Sequence, residues 1–135
     1  MSSSQKTVKL VSFALFIVAV LFYVVGGVML AGAGSLDDSA RSTAFALSMA
    51  LFFEGLVYIA YAGLGIRGAN NPRKIGGFRV LSVFAIVLGI LSIASSVMSN
   101  PAALLQPASF IVYASLVLSL IGFASSGKVV KELEK

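Results

Sequence analysis

Four stretches of almost unbroken apolar residues, at about 10–32, 43–66, 78–98 and 108–126, alternate with short polar segments along the chain. Each is close to the roughly 20 residues a helix needs to cross the hydrocarbon core of a bilayer. No water is available at that depth to satisfy the backbone, so segments of this length are predicted to be α-helices. Connections this short favour an up-down-up-down order. The expected fold is an all-α integral membrane protein, a single four-helix transmembrane domain over 1–135. The tail 127–135 carries the fourth helix on into the cytoplasm.

Composition agrees with this pattern. The chain has 135 residues, of which 59% are hydrophobic and 11% charged. A soluble domain of this size buries only about 70% of its unfolded surface, too little to hide so much apolar area. The covering solvent is therefore lipid.

Net charge is +5, and its distribution points away from nucleic acid and toward membrane orientation. Lys6 and Lys9 precede the first run. Arg67, Arg73, Lys74 and Arg79 lie at or between the second and third, and Lys128, Lys131 and Lys135 follow the fourth. Arg41 alone stands on the other side, a bias of nine to one. By the positive-inside rule both termini and the middle loop are cytoplasmic. There Arg67, Arg73, Lys74 and Arg79 face anionic lipid headgroups, each base being attracted by about 1 kcal/mol. The expected setting is a bacterial cytoplasmic membrane.

Lys6 and Lys9 followed by an apolar run and Ala31-Gly32-Ala33 imitate a secretory signal. The apolar stretch exceeds the roughly 7 to 15 residues of a signal core, so it is read as a retained span. Ser42 or Thr43 suits the N-cap of the second helix. Gly68 suits the end of that helix, and Asn71-Pro72 the start of the third. Asp37 and Asp38 acidify the first outer loop. The segment 100–107 carries no charge and is expected to rest in the outer interface.

Cysteine, histidine and tryptophan are absent. Disulfides, thiol redox chemistry and thiolate or imidazole ligation of zinc or haem lack their ligands. A serine nucleophile lacks its usual base. No enzymatic activity and no cofactor are expected.

Small residues recur at heptad spacing. The third run offers Ser82, Ala85, Gly89, Ser92 and Ser96, and the fourth Ser115, Ser119, Gly122 and Ser126. The first has Ser12, Ala19 and Gly26, and the second Ser48, Gly55 and Ala62. Such stripes let membrane helices approach closely, with serine hydroxyls available for bonds between helices.

Glu54 is the only acidic or basic residue in the interior of any run, Arg79 standing at the edge of the third, and it is thirteen positions from both Arg41 and Arg67. That is about 20 Å along a helix, beyond easy snorkelling reach. A carboxyl at this depth marks a functional site or a polar packing contact. Tyr58, one turn on, leans back toward it, and Tyr61 continues the same stripe. Gly89 lies at similar depth and leaves room for the carboxyl to reach backbone or Ser92. No cation of the chain shares that depth, so the neutral acid is expected there unless a cation binds.

A four-span chain of this size with one membrane-depth glutamate resembles the small multidrug resistance transporters. That resemblance implies proton exchange for cationic compounds by an antiparallel dimer. It is one of topology: their glutamate lies in the first helix, here it is in the second, and their dimers need weakly biased loops. Proteolipid subunits of rotary ATPases share only the mid-helix carboxyl. The segment Gly63-Leu64-Gly65-Ile66-Arg67-Gly68-Ala69-Asn70-Asn71-Pro72-Arg73-Lys74 is similar to small four-span bacterial proteins of unknown role. The first expectation is a non-enzymatic membrane protein that self-associates or joins a larger membrane complex. The alternative is a proton-coupled small-molecule or cation transporter, or a channel-forming oligomer, using Glu54.

Overall fold

The computed structural model describes residues 1–99, 101–102 and 107–134. Among them are four helices long and apolar enough to cross a membrane: α1 (Ser3–Gly32), α2 (Asp38–Asn70), α3 (Gly76–Ser99) and α4 (Pro107–Leu133). No strand occurs among the described residues. The expected interfacial seat of segment 100–107 falls largely outside them.

Helices α1 and α2 begin well before their apolar runs because polar caps, rather than hydropathy, make those ends. Ser2 and Gln5 form a reciprocal capping box at the start of α1, satisfying amide donors that the first turn leaves free. Asp37, not Ser42 or Thr43, caps α2, its carboxylate accepting from the Ala40 amide at 2.8 Å. The earlier cap adds a turn and places a carboxylate at the positive end of the helix dipole. Gly68 does not end α2, which continues to Asn70. Its missing side chain instead admits Ile75, whose Cα lies 2.9 Å from where a Cβ would stand. Asn71 and Pro72 open a 3-10 turn, Pro72–Lys74, and α3 begins only at Gly76.

The start of α1, the end of α2, the start of α3 and the end of α4 meet at one end of the bundle, here termed the basic end. The Gln5 amide donates to the Ala69 carbonyl at 2.9 Å, and Lys9 to Asn70 Oδ1 at 3.3 Å. The Arg79 guanidinium lies 4.8 Å from the centre of the Phe123 ring. The buried core is concentrated here: Val8, Val11 and Leu15 of α1, Tyr61 and Ala62 of α2, Phe78 of α3 and Val129 of α4.

Helix α1 pairs with α2 along its length. A Cβ at Gly26 would meet Phe52, and one at Gly55 would meet Tyr23, each at 2.8 Å; the two rings stack at 5.8 Å. Helices α2 and α3 behave differently. Close to their connection they touch, with Gly65 against Phe78 and Gly77 against Leu64. Farther on they separate, and α3 buries nothing beyond Gly89. Their seam is shut at the basic end and open toward the middle of the bundle.

Candidate functional site

The opening seam forms a cavity of about 350 Å³. Helix α2 contributes Phe53, Glu54, Val57, Tyr58 and Tyr61. Facing them on α3 are Leu81, Phe84, Ala85, Leu88, Gly89 and Ser92, while Phe22 of α1 with Val112 and Ser115 of α4 form the back wall. Phe53, Glu54, Phe84 and Leu88 are exposed. They mark a mouth that opens sideways, where the hydrocarbon of a bilayer would lie.

Glu54 occupies the rim of this mouth. It makes no hydrogen bond or ion pair among the described residues. The reach toward Tyr58, backbone near Gly89 or Ser92 expected from the sequence is not made: Tyr58 stands close, but its hydroxyl is beside Ser115. What the carboxyl faces is an aromatic, nearly apolar space. In such surroundings an ionised carboxylate interacts strongly with any cation that reaches it, because a largely apolar lining screens the pair weakly.

The aromatic rings run as a column from the cavity toward the basic end. Phe22 and Tyr58 are 5.3 Å apart between centroids, Tyr58 and Tyr61 5.8 Å, and Tyr61 and Phe78 5.0 Å. Tyr61 closes the floor, only 1% exposed, its hydroxyl 2.7 Å from Ser82 Oγ. Ser119 Oγ lies beside the same hydroxyl, but without the geometry of a hydrogen bond to it or to any other described group.

The structure gathers Glu54, Tyr58, Tyr61, Gly89 and Ser92 around one space, with Ser115 at its back. Ser119, Gly122 and Ser126 are buried below it; Ser96 lies farther from the basic end and is half-buried. Arg67, Arg73 and Lys74 are exposed at the basic end, whereas Arg79 packs its guanidinium on Phe123. The contributions of Phe22, Phe53, Phe84 and Val112 had no distinguishing signal in the sequence. An aromatic residue in a membrane helix reads alike whether it faces lipid or a cavity. No family model, curated protein or solved structure matches the chain, so its chemistry is read from these residues alone.

Proposed function

We propose that the protein is a non-enzymatic, multi-pass protein of the bacterial cytoplasmic membrane that binds lipophilic cations in the Glu54 cavity and exchanges them for protons. Its helices run up-down-up-down with both termini and the basic end in the cytoplasm. The observation that carries this reading is the lone carboxyl at the rim of an aromatic cavity. Its volume is at the small end of the roughly 300 to 1,000 Å³ usual for ligand sites, and it has the predominantly apolar lining such sites share.

A cation with apolar substituents partitions into the bilayer and can enter sideways through the α2–α3 seam. Its substituents then contact Phe22, Phe53, Tyr58 and Phe84, adding cation–π attraction to the charge pair with Glu54. The neutral acid tolerates hydrocarbon and the carboxylate does not unless paired, so proton and cation alternate on one group. Binding therefore strengthens as pH rises. Titration of the purified protein with tetraphenylphosphonium tests this, with triphenylphosphine oxide as a neutral control. Saturable binding of the cation alone, tighter at higher pH, supports the reading; no binding, or equal binding of both, overturns it.

Self-association is the second reading. It is favoured by the same unpartnered carboxyl on an exposed flank beside thinly packed α3. There a second copy, or another membrane protein, supplies the hydrogen-bond partner that the protomer lacks, and the chain acts as a subunit of a larger assembly.

The orientation has its own test. In intact cells, a cysteine introduced by Ser39→Cys reacts with an impermeant thiol reagent added outside, and one introduced by Asn70→Cys does not. Equal labelling of the two positions contradicts a single orientation.

A further inference from the structure

Between the cavity and the basic end, the packing shuts out anything the size of a ligand yet keeps a succession of hydroxyls. From this we infer that Tyr58, Tyr61, Ser82 and Ser119 form a proton path from Glu54 to the cytoplasmic side. The inference rests on the Glu54 reading above and adds to it the route by which the proton leaves.

The seal is tight. Tyr61 and Phe78 are 1% and 0% exposed, their rings are in contact, and Leu81 packs against the same cluster. A ligand held at Glu54 has no way through it toward the basic end. A proton needs oxygen atoms close to one another, and the seal holds one hydrogen-bonded pair with a third hydroxyl beside it. The Tyr61 hydroxyl and Ser82 Oγ are 2.7 Å apart, and Ser82 also donates to the Phe78 carbonyl at 2.9 Å. Ser119 is wholly buried on the other side of the Tyr61 hydroxyl, with its own oxygen unpartnered. An unpartnered buried hydroxyl is destabilising by about 1 to 3 kcal/mol. Packing alone would be served as well by alanine, whereas a hydroxyl can both donate and accept.

Tyr58 links this group to Glu54. It is the neighbour one turn along α2, and both Tyr58 and Tyr61 line the cavity, so a water molecule on the cavity floor can join their hydroxyls. In the transfer the Glu54 carboxylic acid gives its proton to the first oxygen. Each hydroxyl in turn accepts a proton on a lone pair and passes its own to the next. A proton emerges at the far end, and the carboxylate left behind pairs with the incoming cation. From Tyr61 to Arg67 is about 9 Å of helix. The buried hydroxyl of Ser12, held 2.7 Å from the Val8 carbonyl and filling the space beside Gly65, lies within that interval.

The test uses the full chain in liposomes. Proton flux is driven by a tetraphenylphosphonium gradient, and binding of the same cation is measured separately. Ser82→Ala and Ser119→Ala, at positions outside the cavity lining, each leave binding unchanged and reduce flux by about a hundredfold, the low end of what a positioned proton-transfer group contributes. Unchanged flux in both variants, with wild type binding and transporting, overturns the path while sparing the site. Binding and flux falling together marks the two residues as structural and overturns it as well. Wild type that neither binds nor transports defeats the site and the path together. Should Ser82→Ala fail to fold, Ser119→Ala, which gives up no hydrogen bond, decides the matter.

Discussion

Glu54→Gln protein in liposomes moves no protons in response to a tetraphenylphosphonium gradient that drives them through wild type. Glutamine keeps the shape of the side chain and a donor but cannot ionise. Glu54 makes no hydrogen bond among the described residues and lies at an exposed rim, so the substitution leaves the helices as they are. What is lost is the charge that pairs with the cation. Affinity for tetraphenylphosphonium falls by about tenfold or more, equivalent to ~1.4 kcal/mol, and no longer varies with pH. The assembly reading predicts otherwise. There Glu54→Gln weakens cross-linking between copies, and neither protein carries flux.

Gly65→Leu produces the largest loss of stability. Ser12 Oγ and the Phe78 ring already occupy the space beside this glycine, with two ring carbons 2.8 Å from where a Cβ would stand. Three helices converge on that point, and Phe78 is itself held between Tyr61 and Gly122. No flexible side-chain end is available to give way, so α1 and α3 must move. Overpacking typically costs about 1 to 3 kcal/mol, and this position belongs at the top of that range. In detergent the variant melts earlier than wild type or aggregates. Gly63→Leu, two residues away where a Cβ meets nothing within 4 Å, melts as wild type does. The reverse order of stabilities contradicts the packing of the basic end.

The four long apolar helices were legible in the sequence because each apolar run is close to the length a bilayer-crossing helix needs. Helix ends were not. Caps are made by polar residues outside the apolar window: Ser42 and Thr43, read as N-caps, stand at its edge, whereas Asp37, farther out, makes the cap. The small-residue stripes could be read on α1 and α2, where Ser12, Ala19, Gly26, Ser48, Gly55 and Ala62 are all buried. On α3 the same spacing continues past Gly89, yet Ser92 is exposed. The helix has diverged from α2 by then, and a serine looks the same in sequence whether it meets a helix, a cavity or lipid. Glu54 stood out because an ionisable group in an apolar run is conspicuous. Its surroundings did not, because they are assembled from four helices whose relative rotation no local pattern records. The carboxyl also lacks the hydrogen bond to Tyr58 that helix geometry suggests. A cross-helix neighbour, Ser115, lies beside that hydroxyl instead, a contact invisible in the spacing of α2.

If proton and cation compete for one carboxyl, each cation bound must displace a proton, and those protons can be counted. Purified protein in weakly buffered detergent solution is titrated with tetraphenylphosphonium while a pH indicator records the solution. Wild type releases protons in proportion to the cation bound, saturating with it, and Glu54→Gln releases none. Cation binding to wild type without proton release across the pH range would contradict the account.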